Sequence, residues 1–126
     1  MKRWLLLSAT VLALSCSTAT DPDLEQLQLF LRGTVRSAVD STRIPGAAIE
    51  TWWIFPPEFS SSRTADAQGN YEVSEQMIRY HCEGRLFRVK ASGFASRDIR
   101  ADGRSSLAFV CQNGIQQIDV YLQPSP

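Results

Sequence analysis

The stretch Leu27-Gln28-Leu29-Phe30-Leu31-Arg32-Gly33-Thr34-Val35-Arg36 places Leu27, Leu29, Leu31, Gly33 and Val35 at alternate positions. A period of two is the pleat of a strand, with successive side chains leaving on opposite faces, so it predicts one buried face. Ser37 to Gly46 follows as a polar turn containing Pro45-Gly46. Ala47, Ile49, Thr51, Trp53 and Phe55 then alternate with Ala48, Glu50, Trp52 and Ile54 as a second strand, and Pro56-Pro57 stops it because Pro cannot donate to a ladder. Phe59 to Ala65 reads as a polar, edge-like third strand. Asp66-Ala67-Gln68-Gly69-Asn70 has turn chemistry, and Tyr71 and Val73 begin a fourth strand.

Further along, Glu75 to Gly84 reads as a loop or one helical turn. Leu86 to Ala91 is a strand with Phe87, Val89 and Ala91 on one face and Arg88 and Lys90 on the other. Ser96 to Ala101 is a short strand around Ile99. Ser105 to Cys111 and Ile115 to Leu122 read as two strands joined by a tight hairpin at Gln112-Asn113-Gly114, since Asn-Gly favours such a turn. Asp21-Pro22 ahead of Leu24-Glu25 suits the start of a short helix. Short strands with frequent turns, and no heptads, predict an all-β sandwich or small barrel.

The full chain has 126 residues, 13 Lys plus Arg, 13 Asp plus Glu, one His and three Cys, and is 44% hydrophobic. That is one domain's length, with an ordinary globular composition. The balanced charge supplies no general pull toward nucleic acid, and no nucleic-acid partner is expected. One His excludes any site that needs two.

Met1-Lys2-Arg3 is a basic start, and Trp4 to Leu14 is an apolar run too short to span a bilayer as a helix, which takes about 20 residues. Leu12-Ala13-Leu14-Ser15-Cys16 resembles a bacterial lipoprotein cleavage site. The resemblance implies removal of residues 1–15 and lipidation of Cys16, and Ser17 after it implies the outer membrane rather than retention at the inner one. Ala13 and Leu14 depart from the usual residues there; the competing reading is an ordinary signal peptide cut elsewhere. Removing 15 residues, two of them basic (Lys2 and Arg3), leaves 111 with a net charge of −2. The expected organisation is a signal peptide over 1–15, a lipidated tether over 16–27, a sandwich over 28–123 and a tail over 124–126. The expected partners are the membrane, through the lipid, and an envelope protein or a carbohydrate. With Cys16 lipidated, Cys82 and Cys111 remain, and an even pair in an exported chain favours a disulfide. No Cys-x-x-Cys supports thiol redox work, and adjacent His81-Cys82 suits zinc poorly.

Leu31-Arg32-Gly33-Thr34-Val35 and Ile44-Pro45-Gly46-Ala47-Ala48-Ile49 resemble the opening of carboxypeptidase regulatory-like domains. Thr64 to Val73 is similar to their Thr-x-Asp-x-x-Gly-x-Tyr/Phe segment, and Phe87 to Phe94 to their strand ending in Gly-Tyr/Phe. The resemblance covers Phe30 to Leu122 and implies a prealbumin-like (transthyretin-like) sandwich of about seven strands. Trp52-Trp53 with the loop to Ser62, and the Glu75–Glu83 stretch, depart from the family pattern. Gly69 and Gly93 are read as turn residues, and Phe94 as a plug of the core.

No catalytic residue, metal site or cofactor is expected. A serine hydrolase would need His81 as its base, and no Gly-x-Ser-x-Gly elbow is present. Hydroxyisourate hydrolases carry several His and a Tyr-Arg-Gly-Ser ending, whereas this chain ends Tyr121-Leu122-Gln123-Pro124-Ser125-Pro126. Intradiol dioxygenases hold iron with two His and two Tyr, a set one His cannot complete. No Glu-x-x-His zinc motif is present. Trp52, Phe59 and Tyr80 form the candidate binding set. Trp52 and Trp53 are out of phase, so with Ala47, Ile49 and Trp53 inward Trp52 faces out, where a ring suits a carbohydrate or protein contact. The competing reading folds the Pro56–Phe59 loop over Trp52. Arg32, Arg36, Arg88 and Lys90 are expected to line a solvated sheet face.

Overall fold

A computed structural model describes residues Asp21–Pro126. The lipoprotein reading of Met1–Ser15, Cys16 and Ser17 lies outside these residues. Among the described residues there are nine strands: β1 (Gln26–Ser37), β2 (Ala48–Trp53), β3 (Glu58–Thr64), β4 (Asn70–Ile78), β5 (Arg85–Lys90), β6 (Arg97–Arg100), β7 (Leu107–Ala108), β8 (Gly114–Gln117) and β9 (Val120–Leu122). One helical turn, α1 (Arg79–Cys82), joins β4 to β5, and a 3-10 turn over Pro22–Leu24 precedes β1. The strands form an all-β sandwich of two sheets. One has the order β4-β1-β8, with β9 also on β1; the other has the order β3-β2-β5-β6-β7.

The alternation that defines β1 is realised in full. Leu27, Leu29, Leu31 and Val35 are buried and face the second sheet's Ile49, Phe87, Val89 and Ile99. Phe109 closes the core edge-on against Phe87, with ring centroids 5.3 Å apart. Phe94 packs against the same core from the turn after β5. β1 belongs to the sandwich from Gln26 and is buried at Leu27, inside the stretch read as tether. At the other end Ser125 N–H donates to Gly93 O at 2.9 Å, tying down the tail.

Turn chemistry sets the crossings between sheets. Asp66 Oδ1 accepts from the Gln68 and Asn70 N–H groups, both at 2.9 Å. Gly69 takes φ +72°, a conformation that L side chains rarely adopt, and its carbonyl accepts from Val35 N–H at 2.8 Å. The turn thus delivers β4 onto β1.

Three expectations are corrected. β4 continues to Ile78, so the Glu75–Gly84 stretch begins as strand and only then makes the one helical turn expected of it, α1. The Asn113-Gly114 hairpin does not form: β7 pairs with β6 in one sheet and β8 pairs in parallel with β1 in the other, so the connection crosses between sheets. The reason is long-range, because Asn113 Oδ1 accepts from Gln28 N–H at 2.8 Å and docks the loop on β1. The four basic residues expected on one face are divided, Arg32 and Arg36 on β1 and Arg88 and Lys90 on β5, in different sheets.

β8 and β9 are one interrupted parallel strand. Their pairings with β1, Leu29 with Gly114 and Val35 with Val120, keep the same register. The break falls at Ile118-Asp119, opposite Gly33 and Thr34.

Candidate functional site

Two aromatic clusters surround β2, one on each of its faces. On the outer face, Trp52 is half-buried and lies across from Leu86 of β5 and Phe59 of β3. Its ring meets Phe59 edge-on at 5.6 Å, and its Nε1–H donates to Glu50 Oε1 at 3.0 Å. The Arg88 guanidinium stands 5.4 Å from the ring centroid. Leu86, on the same face, is only 5% exposed because Trp52 and Arg100 flank it. A bulge in β3, where the register with β2 shifts beside Thr51 and Trp52, brings Phe59 opposite Trp52. Trp52 lines a cleft of about 230 Å³ running past Ile54, Pro57, Leu86, Arg88 and Arg100; Phe59 lies outside it.

The charges of this face pair with one another. Arg88 holds Asp98 with two bonds, 2.9 and 3.2 Å, and Arg100 holds Asp102 with two, 3.0 and 2.6 Å. Lys90 meets Glu50 at 3.3 Å. The Asp98 carboxylate raises the Arg88 pKa, and the bond from Arg100 lowers that of Asp102. The face therefore offers a ring and an apolar floor set among neutralised charges, a surface suited to stacking on a flat apolar face rather than to holding an ion.

On the inner face, at the end of the sheet, Trp53 is half-buried and lies across from Arg85. The Arg85 guanidinium stacks on its ring at 3.8 Å, and His81 meets the ring edge-on at 5.4 Å. Arg85 is buried and meets Glu75 of the opposite sheet at 3.3 Å; Ser61 Oγ donates to that carboxylate at 3.5 Å. Arg85 Nε and Nη1 make no hydrogen bond among the described residues, so the Nη1 contact with Glu75 is ionic rather than an aligned bond. This inter-sheet pair was not anticipated from the sequence. Its signal was present: Glu75 continues the inward phase of Tyr71, Val73 and Met77, and Arg85 that of Phe87 and Val89.

The structure thus brings Trp52 and Phe59 together and leaves Tyr80 apart. Tyr80 is exposed on α1 and packs on His81, with centroids 5.6 Å apart. The competing reading of Trp52, with the loop to Phe59 folding over it, is partly realised through the Phe59 contact. Trp53 faces inward as expected but ends the sheet rather than filling the core. Cys82 and Cys111 form a disulfide with Cα atoms 5.9 Å apart, pinning α1 to the segment that crosses between the sheets. Arg79 reinforces that junction, donating to Cys111 O at 2.7 Å and pairing with Glu25 at 3.1 Å. Among the described residues, no group of three or more His, Cys, Asp or Glu is placed to hold a metal ion.

No known family matches the sequence, and no curated protein does. Solved structures do resemble the fold. A chlorocatechol 1,2-dioxygenase from Pseudomonas putida is 20% identical with a TM-score of 0.54 over 83% of this chain and 62% of that one. A catechol 1,2-dioxygenase from Acinetobacter sp. ADP1 is 16% identical with a TM-score of 0.51, over 86% of this chain and 55% of that one. The Bacillus anthracis TIE protein is 10% identical with a TM-score of 0.50, over 78% of this chain and 18% of that one. The chain spans less than two thirds of each of these proteins. Identity at this level shows a shared β-sandwich and nothing of activity.

Proposed function

We propose that this chain is a lipid-anchored envelope protein whose prealbumin-like, carboxypeptidase regulatory-like sandwich is a non-catalytic binding or structural module. The observation that carries the module's role is the Trp52 face: a half-buried ring beside Phe59, over an apolar floor, among charges that satisfy one another. Such a face binds by stacking and burial and performs no proton transfer. His81 meets the rings of Trp53 and Tyr80, which suits packing better than general-base work with a serine. One His in 126 residues also stands against a two-His iron centre.

The anchoring part rests on Leu12-Ala13-Leu14-Ser15-Cys16, and Ser17 after it favours the outer membrane. Each methylene of an acyl chain contributes about 0.8 kcal/mol on insertion, and more than one chain makes the attachment stable. Cys16→Ser is expected to abolish both fatty-acid labelling and membrane retention. Unlabelled wild-type protein, or a mutant still in the membrane fraction, refutes the anchor.

A second reading, a carbohydrate-binding module, is favoured by the cleft beside the same ring. Glycan-array binding that disappears in a folded Trp52→Ala variant would select it over a protein partner.

A further inference from the structure

We infer that the pole of the sandwich carrying α1 rests on the lipid bilayer, through Leu24, Phe55, Tyr80 and Val110. The inference rests on lipidation of Cys16. The four residues are exposed and come from separate parts of the chain, yet α1 gathers them at one end. Arg79 N–H donates to Glu25 O at 2.8 Å, beside Leu24; Tyr80 is in α1 itself. Val110 adjoins Cys111, which is bonded to Cys82 of α1. Ile54 N–H donates to Gly84 O at 2.9 Å, bringing Phe55 to the same end. Phe55 is 83% exposed, an unfavourable place for a Phe in water.

The tether says what covers this pole. Six residue steps separate Cys16 from Pro22 and reach at most about 20 Å. The 12 residues of β1 span roughly 35–40 Å, so the opposite pole, with Val39 beyond Ser37, is held on the far side of the domain. Apolar and aromatic side chains at the near pole suit the headgroup boundary, where Tyr and Phe rings are at home. Arg79 and Arg85 at this end are paired with Glu25 and Glu75, so the contact is apolar rather than a basic attraction to anionic lipid.

The test uses the lipidated full chain in phosphatidylethanolamine–phosphatidylglycerol vesicles. Single cysteines at Phe55, Tyr80 or Val39 carry an NBD fluorophore, attached without reductant so that Cys82–Cys111 stays closed. The expected result is blue-shifted emission and quenching by doxyl lipids at positions 55 and 80, unchanged by high salt, with neither at 39. Unquenched probes at 55 and 80 on protein that floats with the vesicles and carries lipid by mass spectrometry overturn the inference and leave the anchor standing. Equal quenching at all three positions also overturns it, because the domain would then lie on its side. Protein without lipid by mass refutes the anchor itself, and this inference with it.

Discussion

The Tyr71 hydroxyl donates to the backbone carbonyl of Ile118 at 2.6 Å, passing over Gly33, its direct register partner on β1. The bond explains why β8 and β9 are separate strands in one register. The Ile118 carbonyl leaves the parallel ladder to meet Tyr71, and Asp119 Oδ1 takes the vacated place, accepting from Thr34 N–H at 2.9 Å and Thr34 Oγ1 at 3.0 Å. Gly33 is required by this arrangement for lack of space, since a Cβ there would collide with the Ile118 carbonyl oxygen and lie 2.6 Å from its carbon. Burial, helped by the Asp119 charge, pushes the Tyr71 hydroxyl pKa well up, so it stays a donor at any physiological pH.

Gly33→Ala should therefore unfold the domain or move β8–β9 off β1, because the obstacle is backbone rather than a flexible side chain. Tyr71→Phe leaves the ring in place and removes one donor to a partly buried carbonyl, costing about 1–2 kcal/mol. Urea melts of the two variants check this. A Gly33→Ala protein as stable as wild type contradicts the geometry.

The Asp119 carboxylate gives a pH dependence of known sign. Burial opposes its ionisation, but the bonds from Thr34 and Gln117 and the charge of Arg36 outweigh that and hold its pKa below the ordinary aspartate value. A folded-state pKa below the unfolded value of about 3.9 adds stability above that value, which is lost as the pH falls through the folded one. Asp119→Asn keeps an oxygen acceptor and removes the charge. Its stability deficit relative to wild type should be present at pH 6 and shrink below about pH 4. A deficit that does not vary with pH would show that the carboxylate is not held in its ionised form.

Arg85 and Glu75 form an ion pair removed from water between the sheets. Arg85→Met leaves the Glu75 charge without its cation and should cost about 3–5 kcal/mol. The double variant Arg85→Met, Glu75→Leu should recover most of that loss, since apolar replacement of a buried pair is often neutral or better. Trp53→Ala removes the ring under the guanidinium and should cost more than Trp52→Ala, which loses the Phe59 contact and a cation–π contact on the outer face. Denaturant melts of the four variants against wild type decide both comparisons. A double variant no better than Arg85→Met alone argues against coupling.

Opening the Cys82–Cys111 disulfide frees a loop of about 30 residues, which the chain-entropy view values at about 3–4 kcal/mol. Reduction should lower the unfolding midpoint, and two reactive thiols should appear in denatured protein only after reductant. Two reactive thiols in unreduced, denatured protein would show that the pair is open.

The strands whose burial follows a period of two are legible in the sequence. Leu27 to Val35, Ala47 to Thr51 and Phe87 to Val89 each announce a buried face, and Asp66 to Asn70 announces its turn, because pleat and turn chemistry act between neighbours. The outer-face position of Trp52, with Trp53 inward, was legible for the same reason. The rest depends on contacts between segments far apart in the chain. Asn113-Gly114 has the local chemistry of a hairpin, yet Gln28 N–H captures Asn113 and sends β8 to the other sheet. Phe59 reaches Trp52 through a bulge that no composition announces. Tyr80 parts from them because β4 runs on to Ile78 before α1 turns. Glu75 and Arg85 become partners, and Gly33 becomes indispensable, only when strands distant in the chain meet. Bonds between distant strands form once the sheets have packed, so the residues that make them carry no local mark of their partner.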